Sequence, residues 1–160
     1  MKLKYFFALL SYLLIVNCYC QENLFPKQSI GYVHDFEHVL TNNQFTDLEI
    51  LIDKIQKQDK CQITVISIDN IGTYSDFDKY AFDLSNQWEI GKYYEGNGIS
   101  IIFSKSWRQI RISTTDDIRD IITDQFCKDL IDNIIIPSFK NGDYYSGLNN
   151  ALLKISEKLR

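Results

Sequence analysis

The chain has 160 residues, of which 45% are hydrophobic, and a formal charge of −4 at pH 7. This length supports one domain with one sizeable hydrophobic core. The acidic balance argues against a nucleic-acid partner, because phosphate binding requires a basic face.

The first twenty residues predict a secretory signal peptide. Two lysines begin the chain, an apolar run covers 5–16, and Cys18 and Cys20 are small residues before Gln21. A membrane anchor and a lipoprotein modified at either cysteine are alternatives, although the run is shorter than a span of about 20 residues. We expect a mature chain that starts at Gln21 with a net charge of −6, exported to a periplasmic or extracellular compartment.

Residues 21–31 are predicted to form an extended lead-in to a domain at 32–160. Hydrophobic periodicity and capping signals predict the helices and strands of that domain. Thr41 and Gln44 match a capping box, and β-branched runs favour buried strands. In chain order the pattern predicts a helix at 42–58, a strand at 61–68, a helix from Ser75 or Asp76 to Trp88, strands at 99–104 and 108–113, a helix from Thr123 that ends before Pro137, and a helix at 143–159.

The order of these elements predicts an α/β fold. A strand, a helix and a strand imply a parallel crossover, and the following hairpin adds an antiparallel strand. Helices then cover the faces of the sheet. We therefore expect a three-layer α/β/α-like sandwich around a small mixed sheet.

The hairpin also predicts which loops meet. A two-residue turn at 105–106 would place Asn97 near Thr114. The loops 95–98 and 114–120 would then share one end of the sheet, where oxygen ligands can hold a hard cation.

The stretch 137–148 reads P-S-F-K-N-G-D-Y-Y-S-G-L. It resembles the end of the TPM domain family, which usually reads P-x-F-x-x-G-D-Y-x-x-G-L. The resemblance extends over about 32–158 and implies the fold above. It also implies divalent-cation binding, a phosphatase activity ascribed to some members, and accessory roles at membrane assemblies. Further matches lie at Val33, Asp35, Leu40, Thr41, Trp88, Ile90, Gly91, Asn97, Gly98, Arg111, Ile112, Thr123 and Asp124.

Two departures from the family pattern fall on its acidic loops. Gly96 stands where the family tends to have aspartate, and Arg119 stands where it tends to have glutamate. New carboxylates occur at Asp116, Asp117 and Asp120. The resemblance therefore implies a degenerate cation site.

The candidate ligands for a weakly bound Ca²⁺ or Mg²⁺ are Asp35, Asn97, Asp116, Asp117, Asp120 and Asp124. The alternative is a solvated acidic rim, with Asp35 serving only a turn and Asp124 only a helix start. The signal for a metal is weak, because EF-hand spacing is absent from the sequence. No catalytic residue can be named, and we interpret His34 and His38 as surface residues.

The sequence is compatible with two functions. One is a non-catalytic or weakly catalytic module that binds an unidentified protein partner at a membrane complex, with no transmembrane helix in the mature chain. The other is a metal-assisted phosphatase acting on phosphate esters. Cys61 and Cys127 can form a disulfide after export, and the favoured alternative is a pair of buried free thiols.

Overall fold

The computed structural model describes residues 24–160, so the predicted signal peptide, its cleavage site and the first residues of the lead-in lie outside the described part. The strands are β1 (Val33–Asp35), β2 (Gln62–Ser67), β3 (Gly98–Ser104) and β4 (Gln109–Thr114). The helices are α1 (Asn42–Asp59), α2 (Phe77–Gln87), α3 (Asp124–Leu130), α4 (Ile136–Lys140) and α5 (Tyr144–Leu159); a 3₁₀ turn covers Asp116–Ile118 and a π-helical turn covers Ile131–Ile135.

The four described strands form one mixed sheet in the order β1-β2-β3-β4. β1, β2 and β3 are parallel, and β4 is antiparallel to β3. This confirms the predicted crossover and hairpin. β1 is absent from the elements predicted above, and it pairs with β2 over three residues.

Non-local contacts hold this short first strand. The carboxylate of Glu49, on α1, accepts hydrogen bonds from the backbone N–H groups of Tyr32 at 2.8 Å and Val33 at 2.6 Å. The strand therefore depends on α1 as well as on β2, which explains why local sequence gave little signal for it.

Two apolar clusters lie on opposite faces of the sheet and make the three layers. Ile63 and Ile101 face one cluster, which includes side chains of α1, α3 and α5. Ile66 and Ile102 face the other, which is built mainly on α2. Apolar residues on both faces identify β2 and β3 as the buried central strands.

The predicted helix starts are confirmed at their caps. Thr41 and Gln44 form a capping box, Asp76 rather than Ser75 caps α2, and Thr123 caps α3. Each cap satisfies N–H groups that lack a partner in the first helical turn.

The predicted two-residue hairpin turn is wrong. Ser104 pairs with Gln109, so the loop is 105–108 and the register differs by two residues from the expectation. Glu37 stabilises the wider loop, because its carboxylate accepts from the N–H groups of Lys105 at 2.6 Å and Ser106 at 3.0 Å. Ile99, and not Asn97, therefore lies opposite Thr114.

The expectation that a helix ends before Pro137 is also wrong. The helical chain continues from Asp124 to Lys140, and Pro137 lies at the start of α4. The π-helical turn makes this possible. The N–H of Ile136 bonds to the carbonyl of Ile131, five residues back, and this wider turn gives the proline ring room that a regular α-helix lacks.

The C-terminal motif is a packing motif. Gly142 has a φ of 75°, which permits the reversal between α4 and α5, and Asp143 caps α5 by accepting from the N–H of Ser146. Gly147 lets the helices approach closely, since a β-carbon there would lie 3.1 Å from the Phe139 ring. Leu148 is fully buried in the core.

Candidate functional site

Two loops meet at the end of the sheet where β3 begins and β4 ends. Gly98 donates its N–H to the Thr115 hydroxyl at 2.9 Å, and Thr115 donates its N–H to the Gly98 carbonyl at 3.0 Å. The loops 95–98 and 114–120 therefore adjoin, as expected, although the register is different. We call the surface formed by Gly96, Asp116, Asp117 and Arg119 the acidic rim.

Asp117 lies against the backbone of Gly96. Gly96 has a φ of 95°, and a β-carbon there would come within 2.1 Å of a carboxylate oxygen of Asp117. Glycine is therefore required by both conformation and space. The carboxylate of Asp117 occupies the space into which a side chain at position 96 would project.

Arg119 brings a positive charge into the same rim. Its guanidinium lies 2.9 Å from the Asp116 carboxylate and donates a long hydrogen bond of 3.5 Å to the Thr114 carbonyl. The Asp116 side chain is 91% exposed, so the ion pair stabilises the fold only slightly. Its chemical consequence is larger, because Arg119 neutralises a carboxylate that a cation would use.

A surface cleft of about 740 Å³ adjoins the rim, between the end of α2 and the two loops. Its charged lining is mixed: Glu89, Asp116 and Asp117 are acidic, and Lys92 and Arg119 are basic. Lys92 is already paired with Glu89 at 2.5 Å. The cleft therefore has little excess charge of either sign.

Asp35 lies at the opposite end of the sheet. It pairs with Ser67 at the carboxyl end of β2, whereas the acidic rim adjoins Gly98 at the start of β3. The seven residues of β3 separate these ends by about 20 Å. Asp35 therefore cannot share one ion with the rim carboxylates.

Hydrogen bonds give Asp35 a structural role. Its carboxylate accepts from the N–H groups of Val39 at 3.2 Å and Leu40 at 2.9 Å, and from the Ser67 hydroxyl at 2.6 Å. These contacts organise the turn between β1 and α1, which is the alternative that the sequence left open.

The remaining candidate ligands are dispersed. Asn97 donates its side-chain N–H to the Lys60 carbonyl at 3.3 Å and thereby ties its loop to the end of α1. Asp124 is exposed in the first turn of α3, where the helix dipole favours an acid. Asp120 is exposed between the 3₁₀ turn and α3.

Within residues 24–160, no three His, Cys, Asp or Glu side chains are grouped so that they could hold a metal ion. The oxygens of the rim therefore do not form a ready-made divalent-cation site, which typically requires about six to eight ligands for Ca²⁺.

His34 is the residue that the sequence misplaced. It is 3% exposed, and its ring lies 4.6 Å from that of Trp88, in an edge-to-face arrangement. Its Nδ1 is 2.9 Å from the Ser29 hydroxyl, while its Nε2 has no hydrogen-bond partner among the described residues. Burial lowers the pKa of His34 to about 4, so the interpretation as a surface residue is wrong.

Cys61 and Cys127, the two cysteines within residues 24–160, are free and buried. Burial raises the pKa of Cys61 to about 12 and that of Cys127 to about 11. Thiols with such pKa values are poor nucleophiles at neutral pH. This agrees with the favoured alternative of two buried thiols.

The comparisons with known proteins identify the family. The family model described as the TPM domain matches residues 33–158, and this chain belongs to the TPM domain family. No curated protein matches the sequence. No helix in the described part of the chain has the length and apolar character needed to cross a membrane.

Three solved structures share the fold at low sequence identity. The N-terminal domain of a protein from P. gingivalis has a TM-score of 0.72 and 23% identity, covering 82% of this chain and 83% of that one. The BA42 protein of the psychrophilic bacterium Bizionia argentinensis has a TM-score of 0.68 and 22% identity, covering 78% and 83%. The N-terminal domain of cg2496 from Corynebacterium glutamicum has a TM-score of 0.65 and 14% identity, covering 85% and 84%.

Proposed function

We propose that this chain is an exported TPM-domain protein that acts as a binding or accessory module at a membrane protein complex. In this proposal the acidic rim is a degenerate cation site that does little or no catalysis. The observation that supports this proposal is the ion pair of Arg119 with Asp116, at 2.9 Å. Arg119 lies in the loop where the family resemblance leads us to expect a carboxylate.

The rim offers few ligands to a cation. Asp116 is paired, Asn97 donates to Lys60, and Asp35 lies at the far end of the sheet. Any Ca²⁺ or Mg²⁺ held there would keep most of its ligands as water. We therefore propose an affinity in the range of weak extracellular sites, with a Kd of about 10⁻⁴–10⁻³ M.

Export is proposed from the sequence of residues 1–20. The basic start, the short apolar run and the small residues before Gln21 support cleavage at that point. The intact mass of the protein recovered from the exported fraction tests this. A mass that corresponds to residues 21–160 is expected; an uncut N-terminus or a lipid adduct on Cys18 or Cys20 would contradict it.

The second candidate function is a metal-assisted phosphatase. One observation favours it: the Asp117 carboxylate fills the space in front of Gly96, so an acid is still present at the rim although position 96 has none. Against it, most charged groups around the rim are already paired with another residue of this protein. Arg111, in the middle of β4, lies 3.6 Å from Asp78 and donates to the Ser113 hydroxyl.

Phosphate-ester hydrolysis measured with and without Ca²⁺ or Mg²⁺ separates the two functions. The variant pair Asp116→Asn/Asp117→Asn removes both rim carboxylates. Asp47→Asn/Asp69→Asn is the matched control, because both residues are exposed and lie outside the rim. If the rim does little or no catalysis, the wild type should show no metal-dependent hydrolysis that is lost in the rim variant. Turnover that depends on the metal, is lost in the rim variant and persists in the control would establish the phosphatase instead.

A further inference from the structure

A second cleft, at the other end of the sheet, differs in charge from the rest of the molecule. It has a volume of about 660 Å³ and lies between the β3–β4 loop and α4. Lys105, Arg108 and Lys140 line its edge, and its apolar lining comes from Ile136, Phe139 and Tyr144. We call this surface the basic cleft.

The three cations of the basic cleft have no carboxylate partners. None of them forms an ion pair with another residue in the range 24–160, whereas Lys57, Lys79 and Arg119 are examples of cations that do. All three cleft cations are exposed. Three unpaired positive charges therefore surround one cleft of a protein whose net charge is −4.

The acid nearest to the loop is already engaged. Glu37 accepts from the N–H groups of Lys105 and Ser106 and from the Ser106 hydroxyl at 2.8 Å. Its carboxylate therefore fixes the backbone of the loop. The loop is held in place before any ligand arrives, which lowers the entropy lost on binding.

Aromatic packing stabilises the floor of the cleft. The ring centroids of Phe139 and Tyr144 are 4.6 Å apart, and Phe139 also contacts Phe103 of β3 with a centroid distance of 5.0 Å. Phe139 and Tyr144 are only half-buried. Their exposed parts can receive an apolar side chain from another molecule.

We propose that the basic cleft binds an acidic segment of a partner protein, with an aromatic or aliphatic side chain on the Phe139–Tyr144 floor and carboxylates against Lys105, Arg108 and Lys140. The charge complementarity with the three unpaired cations carries this inference. It rests on the proposed accessory role and adds to it the class of partner and the surface that receives it.

The shape of the cleft favours a protein segment over a membrane surface. A concave site with an apolar floor suits an inserted side chain, whereas the negative charge of the rest of the protein would be repelled by an anionic bilayer. Gln109 and Ile110, the first residues of the edge strand β4, also line the cleft. An extended segment can align along that edge.

Fluorescence anisotropy with a labelled peptide of sequence EDFEDFED tests the proposal. The variant Lys105→Gln/Arg108→Gln/Lys140→Gln removes the three cations, and Lys140→Glu alone reverses one. Lys27→Gln/Lys54→Gln/Lys158→Gln is the control with the same change in charge at exposed positions outside the cleft. The peptide EEGEEGEE, which has no apolar side chains, tests the floor. Vesicles of phosphatidylcholine with phosphatidylglycerol test the membrane alternative by co-sedimentation.

We expect saturable binding of EDFEDFED, a loss of affinity of about tenfold or more in the cleft variant, and a change under about twofold in the control. EEGEEGEE should bind several-fold more weakly. Equal losses in the two triple variants, or equal affinity for the two peptides, would overturn the proposal. The proposal would also be overturned if the wild type bound the vesicles, the cleft variant did not bind them, and the peptide failed to bind. None of these results bears on the hydrolysis assay at the acidic rim, which tests the accessory role separately.

Discussion

A carboxylate oxygen of Asp117 lies 2.1 Å from the point that a β-carbon of residue 96 would occupy, so Gly96 and Asp117 share one space at the acidic rim. The family resemblance leads us to expect an aspartate at position 96. In this chain the acid comes from the neighbouring loop.

The substitution Gly96→Asp should therefore destabilise the protein. It places a side chain at a φ of 95° and against Asp117, and we expect a loss of about 2–4 kcal/mol in the free energy of unfolding. Gly142→Asp is the matched control, because Gly142 has a φ of 75° and a β-carbon there would meet no atom within 4 Å. The additional change Asp117→Ala should rescue Gly96→Asp and leave Gly142→Asp unaffected. Equal losses in the two single variants would show that the contact is unimportant.

Replacing Arg119 should tighten cation binding at the rim. Arg119→Glu removes the partner of Asp116 and adds a carboxylate, so calorimetric titration with Ca²⁺ should show an affinity about tenfold higher than that of the wild type. Lys140→Glu has the same change in charge at the other end of the sheet and should alter the affinity little. Submicromolar binding by the wild type, or no gain in Arg119→Glu, would contradict our view of this site.

Stability should depend on pH through His34. Its pKa is lowered from 6.5 to about 4 in the folded protein, so the unfolded chain binds more protons between these values. The free energy of unfolding should therefore be highest above pH 6.5 and should fall by about 2–3 kcal/mol toward pH 4 on account of this residue.

Denaturant unfolding of the wild type across this pH range should be compared with that of His34→Asn, whose side chain cannot titrate. His38→Asn is the control, because His38 is exposed. The slope with pH should flatten in His34→Asn and persist in His38→Asn. The same slope in all three proteins would mean that His34 is protonated without cost in the folded state.

The C-terminal helix offers a matched pair for core packing. Leu148 is fully buried and Leu153 is 44% exposed, and both lie in α5. Leu148→Ala should destabilise the protein by about 2–5 kcal/mol through lost burial and a cavity. Leu153→Ala should change stability by less than about 1 kcal/mol. Denaturant melts measure both, and similar values for the two variants would show that α5 packs with a different face.

Local signals predicted the elements that depend on local physics. The capping box at Thr41 and the apolar spacing along α1 predicted that helix. The β-branched run of β2 predicted that strand. The mixed sheet followed from the order of these elements, and it is confirmed.

The errors fall where distant residues decide the structure. The hairpin loop is widened by Glu37, which lies 68 residues before Lys105 in the chain. β1 depends on Glu49, and its place in the sheet puts Asp35 far from the other candidate ligands. Pro137 is tolerated because hydrogen bonding shifts in the preceding turn. None of these interactions has a periodic or compositional signature.

The strand order β1-β2-β3-β4 means that each strand of the described sheet lies beside its neighbours in the sequence. The β3–β4 hairpin closes a loop of only four residues at 105–108, whereas the parallel pairs close loops that contain a whole helix. Loop-closure entropy therefore favours the hairpin as an early folding nucleus, with β1 added last after α1 has formed. A substitution of Glu49 should then accelerate unfolding and leave the folding rate almost unchanged.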